Sequence, residues 1–255
     1  MPTNASQVDC GRSPSEVSDG MLPELLFGER PCESFAPGST LFWEGDPADW
    51  IFRLVSGTVR LDRHLRDGRR IVAAFPSRGD VIGLTLAPAQ PFCAHALTRV
   101  VVQRAARDRL EALLCAREIR PHVLARVAEQ CCARQDELLA LLHERADARV
   151  ARFLLDRVRR ERGVGRAGVE ASAEIALPMS RADIADHLGL TTETVCRAFT
   201  QLRSEGIIDL RSPGRVVIAR PSRLQARERS RKGAAPKPAT CERPRDEAVR
   251  ALSAR

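Results

Sequence analysis

Glu193, Cys196 and Arg197 stand three and four residues apart in the run SRADIADHLGLTTETVCRAFTQLRSEG, residues 180–206. On a helix, a four-residue step sets Glu193 and Arg197 on the same face. A glutamate can accept from cytosine N4, and an arginine can take guanine O6 and N7 together, so the pair suits the reading of neighbouring base pairs. The plainer alternative is a surface ion pair of little energetic weight. Cys196 lies between them near a helix start and beside Arg197, a setting in which thiols oxidise readily. Oxidation to sulfinate would place negative charge there, which makes Cys196 a redox-switch candidate. The competing reading is that the thiol is simply tolerated at this position. Further along, Arg211 and Arg215 flank Ser212-Pro213-Gly214, where two cations on a turn would meet phosphate.

These side chains need elements to aim them. Ser180 precedes Asp183 by three residues, a capping-box variant that opens a helix. Ile184 and Leu188, then Val195, Phe199 and Leu202, supply apolar faces, and Ala185 is small where two helices would cross. Gly189 suits the tight turn between them, and Thr191 or Thr192 can cap the second helix. The pattern is a helix-turn-helix with Thr192–Leu202 free to enter a major groove. IIDLRSPGRVVIAR then reads as a hairpin, completing a winged module over residues 145–220 that begins with the helix ADARVARFLLDRVRRE. From residue 221 to 255, Arg, Lys, Pro and Ala dominate without periodicity, and a disordered basic tail is expected.

The upstream chain has another texture. Residues 1–28 are polar and rich in Gly, Pro and Ser, and read as a flexible leader. Over residues 29–116, short β-type runs such as SFAPGSTLFWEGD, DWIFRLVSGTVRLDRHL and RRIVAAF alternate with Gly, Pro and Asp, as in an antiparallel barrel or roll. Residues 117–144 contain no glycine. There Leu124, Val127, Cys131, Arg134, Leu138 and Leu141 recur at steps of three and four, an a/d seam for pairing two copies. The alternative is a helix packed on its own barrel. At the seam Cys131 would face its own copy, either as a transient disulfide or, more simply, as a small apolar residue. The expected fold class is α+β: an antiparallel β-roll, a long dimerisation helix and a winged helix-turn-helix.

Charge agrees with that division. Residues 1–144 carry 17 basic and 19 acidic side chains, net −2; residues 145–220 carry 14 and 10, net +4; residues 221–255 carry 10 and 4, net +6. A basic C-terminal part points to an anionic partner, nucleic acid before membrane. No apolar run approaches the ~20 residues of a membrane span, and MPTNASQVDC has neither the basic start nor the apolar core of a secretory signal. A cytoplasmic protein without membrane association is expected. The eight cysteines include no Cys-x-x-Cys pair and the five histidines no close pair, so no metal site is expected. No nucleophile elbow or phosphate-cradling glycine loop is present, and enzymatic turnover is not expected.

The order of barrel, long helix and winged module resembles the CRP/FNR family of bacterial transcription regulators over roughly residues 30–220. FWEGDPADWIFRLVSGTVRL, DGRRIVAAFPSRGDVIGL and MSRADIADHLGLTTETVCRAFTQL carry the resemblance, which is strongest to the FixK-type branch near FNR. It implies a homodimer that binds double-stranded palindromic operators and activates transcription by touching RNA polymerase. By the same resemblance, Glu193, Cys196 and Arg197 fall on the family's DNA-reading Glu-x-x-Ser-Arg. A TTGAT- or TTGAC-like inverted repeat is implied, with Cys196 in place of serine unsettling the outer bases. The family's cyclic-nucleotide site resembles Gly-Glu-Leu followed by Pro-Arg-x-Ala. Here Gly83-Leu84-Thr85 and Phe92-Cys93-Ala94-His95-Ala96 lack the acid and the phosphate-binding arginine, so cyclic AMP is not expected. Cys10, Cys32, Cys93 and Cys115 do not rebuild FNR's iron-sulfur cluster, and a lone His64 or His95 is weak support for heme. No cofactor is expected. The implied physiology is effector-independent activation of low-oxygen or nitrogen-metabolism genes. The alternatives are a ligand-, heme- or nitric-oxide-gated regulator of the same fold, and a repressor.

Overall fold

The computed structural model describes residues 21–85, 87–117, 119–121, 124–125, 128, 131–132, 135, 144–162, 171–212 and 214–229. The roll is built from strands β1 (Cys32–Phe35), β2 (Thr40–Phe42), β3 (Trp50–Ser56), β4 (Val59–His64), β5 (Arg70–Ala74), β6 (Val81–Ile82), β7 (Cys93–Ala96) and β8 (Val100–Ala106). They form two antiparallel four-stranded sheets, ordered β1-β8-β3-β6 and β2-β7-β4-β5. Inward-facing Phe42, Phe52, Leu54, Val59, Val100 and Val102 form the core between them. The β3–β4 turn requires glycine: Gly57 has φ +89°, and a Cβ there would sit 2.4 Å from the Arg99 carbonyl oxygen.

The leader reading of residues 1–28 needs correcting at its end, while residues 1–20 lie outside the described residues. Met21–Phe27 forms helix α1, and Leu26 and Phe27 are buried against Ile51, Ala105 and Leu110. Leu26 and Phe27 close that end of the roll together with α2 (Arg107–Cys115).

Within 117–144, residues 120, 121, 124, 125, 128, 131, 132 and 135 are helical and exposed, Leu124 at 56%. Of the expected seam, Val127, Arg134, Leu138 and Leu141 lie outside the described residues. The described positions place Leu124 and Cys131, together with Ala125 and Ala128, on one exposed helical stripe.

Helix α3 (Ala146–Arg162) opens the C-terminal domain and buries Val150, Ala151, Phe153, Leu154, Leu155 and Val158. Strand β9 (Ala173–Ala176), helices α4 (Arg181–Leu188) and α5 (Thr192–Ser204), and strands β10 (Ile208–Ser212) and β11 (Arg215–Ile218) follow. The hairpin is widened to a three-stranded antiparallel sheet, β10-β11-β9, by a strand that the sequence reading did not separate from its surroundings.

The disordered-tail reading is corrected at residue 221. Pro221–Glu228 is helix α6, with Pro221 at its first turn, where the missing N–H costs nothing. Leu224 is fully buried, and Glu228 faces Arg152 (3.7 Å) and Arg159 (3.6 Å) of α3. Arg227 pairs with Asp147 at 3.3 Å and with Glu205. Four arginine-carboxylate contacts and one buried leucine hold a segment whose composition resembled a tail. Residues 230–255 lie outside the described residues.

Candidate nucleic-acid interface

The α4 N-terminus closes as a reciprocal capping box. Ser180 Oγ accepts from Asp183 N (3.0 Å) while Ser180 N donates to Asp183 Oδ2 (3.0 Å). Gly189 at φ +60° turns the chain, and Leu190 N donates to the Ala185 carbonyl at 3.0 Å. Thr191, not Thr192, caps α5: its Oγ1 accepts from Thr194 N at 3.2 Å. Val195, Ala198, Phe199 and Leu202 anchor α5 in the core shared with Ile184, Ala185 and Leu188.

The opposite face of α5 is open. Thr191, Thr192, Glu193, Cys196 and Arg197 are all exposed, and so are Thr200 and Arg203, which continue the stripe. Glu193 and Arg197 pair with each other, at 71% and 78% side-chain exposure. The wing cations are exposed too, each near an acid: Arg211 with Asp209 (3.2 Å) and Arg215 with Glu174 (3.1 Å). Pro213, in the turn between them, lies outside the described residues.

One residue escaped the sequence reading. Arg181, at the start of α4, lies with its guanidinium 3.4 Å from the centroid of the Phe199 ring. Burial pushes its pKa below the ordinary arginine value. Arg197, the cation next to Cys196 in sequence, is engaged by Glu193. A cleft of about 690 Å³ opens between this point and the wing, lined by Met179, Ser180, Arg181, Leu210 and Gly214. Nothing local in the sequence marked Arg181, because its partner ring is 18 positions away.

In the two segments compared above with the family's cyclic-nucleotide site, Cys93, Ala94 and Ala96 are buried, Thr85 and His95 are half-buried and Leu84 is exposed. Among the described residues no group of three metal-ligating side chains occurs, and no helix is long and apolar enough to cross a membrane.

A β-roll joined to a winged helix-turn-helix with an exposed polar recognition face defines a two-domain DNA-binding regulator. Comparisons with known proteins agree with that architecture. Residues 32–116 match the cyclic nucleotide-binding domain family, and residues 148–227 match the Crp-like helix-turn-helix domain. The chain is 37% identical to the nitrogen fixation regulation protein FixK of Bradyrhizobium diazoefficiens over 196 residues, covering 75% of this chain and 79% of that one. It is 33% identical to FixK of Rhizobium meliloti, covering 80% and 90%. The solved structure of FixK2 from Bradyrhizobium japonicum superposes with a TM-score of 0.69 at 34% identity, covering 81% of this chain and 99% of that one. The chain belongs to the CRP/FNR family of transcription regulators, in its FixK-like branch. It is a DNA-binding regulator and not an enzyme.

Proposed function

We propose that the protein is a cytoplasmic homodimer that activates low-oxygen or nitrogen-metabolism genes without a small-molecule effector, from a TTGAT- or TTGAC-like inverted repeat. The observation that carries this reading is the division of α5 into a buried anchor, Val195, Phe199 and Leu202, and an exposed face with Glu193 and Arg197 one turn apart. Glu193 and Arg197 read base edges, Thr191, Thr192 and Cys196 lie along the same groove, and Arg211 and Arg215 reach phosphate from the wing. The seam expected from the sequence, Leu124, Val127, Cys131, Leu138 and Leu141, pairs the two copies; its described members, Leu124 and Cys131, are exposed on the helix. Activation proceeds by contact with RNA polymerase. Two relatives are named nitrogen fixation regulation proteins, and a third, from Rhodopseudomonas palustris, is a transcriptional activatory protein at 35% identity. These names support the physiological part.

The test is equilibrium binding of the purified protein, without additions, to a TTGAT-N4-ATCAA duplex and to a scrambled duplex at one salt concentration, with and without reductant. Selective binding without effector is expected. Selectivity that appears only after a small molecule or cofactor is added would overturn the effector-independent reading.

A further inference from the structure

The outer face of the sheet β2-β7-β4-β5 is partly covered by the DNA-reading domain. Val72 and Phe75 of the roll belong to the same buried cluster as Phe153 of α3 and Ile184 of α4. His187 of α4 places its ring 5.2 Å from that of Phe75, with Nδ1 3.0 Å from the Val72 carbonyl oxygen. Around this apolar contact runs a set of charges from both domains. Arg60 of β4 donates to Asp183 of α4 at 3.0 Å, and Arg70 of β5 lies 2.8 Å from the same carboxylate. Arg70 also grips Asp186 through Nε (2.9 Å) and Nη2 (2.6 Å). Asp62, 1% exposed, holds Arg60 from behind at 2.8 Å.

Every member of this set is at least two-thirds buried, the most exposed being Asp186 at 32%. Charges withdrawn from water to that degree are poorly screened, and each needs its partner in place. Removing Arg70 leaves Asp186 unpaired and Asp183 with Arg60 alone, and removing Arg60 takes the 2.8 Å partner from the buried Asp62; either loss favours opening this contact to water. The direction of α4 is therefore tied to the roll. α5 follows α4 as a unit, because the Gly189 turn is short and the two helices share the core of Ile184, Leu188, Val195 and Phe199.

We propose that Arg60 and Arg70 are positioning residues for DNA reading: they clamp α4 to the roll and so fix where each reading helix points. This rests on the reading of the protein as a dimer on an inverted repeat. In such a dimer the heads can match only one separation of half-sites if each is held rigidly to its own roll. The clamp thus sets operator spacing, whereas Glu193 and Arg197 set base identity.

The experiment measures Kd for TTGAT-Nx-ATCAA duplexes with x from 2 to 6, and for scrambled half-sites at each spacing. The full-length wild type is compared with Arg70→Gln, Arg70→Lys and Asp186→Asn. For the wild type, one spacing is expected to win by at least about tenfold. Arg70→Gln should bring the spacings within about twofold to threefold of each other while keeping its preference over scrambled half-sites. Arg70→Lys should restore part of the spacing preference, and Asp186→Asn should weaken it to an intermediate degree, since the Arg70–Asp183 contact survives. A thermal melt separates loss of fold from loss of orientation. If Arg70→Gln unfolds, Asp186→Asn decides, and a wild-type spacing profile in it overturns the proposal. An unchanged profile in folded Arg70→Gln overturns it equally. A wild type that ignores the inverted repeat altogether defeats the functional reading, and this proposal with it.

Discussion

At the scale of single residues, the pairing of Glu193 with Arg197 decides what the recognition face costs to use. Both side chains are more than two-thirds exposed, and exposed ion pairs contribute about 0–1 kcal/mol. A bidentate arginine-guanine contact discriminates by about 1–3 kcal/mol, so a base contact of the proposed kind would outweigh the opening of the pair. Arg197→Ala is accordingly expected to weaken specific binding by about 1–3 kcal/mol and binding to random duplex by less, measured as Kd on both duplexes at one salt concentration. Equal losses would show that Arg197 contacts only backbone. Cys196 is exposed on the same face. Cys196→Ser is expected to keep DNA binding and to remove its sensitivity to peroxide. A serine variant still inactivated by peroxide would rule this thiol out as the redox switch.

At the scale of elements, the second roll sheet carries a pH dependence. His95 of β7 faces Thr40 of β2 (2.9 Å), Asp62, Arg60 and His64 of β4, and Arg70 of β5. Burial holds its pKa below the ordinary 6.5. Asp62 pulls upward, but Arg60, Arg70 and His64 add to the depression. The folded protein therefore keeps His95 neutral where the unfolded chain takes up a proton, so stability falls as pH drops below about 6.5 and levels off below the folded value. The melting temperature should decline from pH 7 to about pH 5.5, and His95→Gln should flatten that decline. Asp183 acts at the acid end. Burial opposes its charge, but the Ser180 hydroxyl and amide, then Arg60 and Arg70, outweigh that and hold its carboxyl below 3.8. Its contribution is complete above that value and is lost only as pH falls through the lower folded one. The helix pair around Gly189 was legible in the sequence because capping, turn and apolar spacing are local signals. The clamp was not, because Arg60 and Arg70 on alternating strand positions look like a solvated face until α4 covers them. β9 was hidden because AEIA is too short for alternation to register. α6 was hidden because its stability comes from Leu224 and from ion pairs to α3, not from its own periodicity.

At the scale of the whole molecule, positive charge increases toward the DNA-reading end, and the boundary that matters is Glu228 rather than Pro221. Residues 230–255 carry seven Lys or Arg against three acids. Such a segment gives affinity without sequence preference, because each phosphate it neutralises releases counterions and steepens the salt dependence by about 0.9 in log–log slope. Two truncations separate its role from that of the helix before it. Ending the chain after Arg229 keeps Leu224, Arg227 and Glu228 on α3, so the melting temperature should be unchanged. The salt slope should flatten on operator and random duplex alike, with the ratio of the two affinities preserved. Ending it after Arg220 uncovers the Leu224 site on α3 and leaves Arg152 and Arg159 without Glu228. Loss of a fully buried leucine costs about 2–5 kcal/mol, so this shorter chain should melt earlier by several degrees and lose specific binding with its fold. Melting curves and salt titrations of the two truncated proteins, side by side with the full chain, check both halves. An unchanged melt in the shorter one would mean that α6 is not part of the DNA-reading domain.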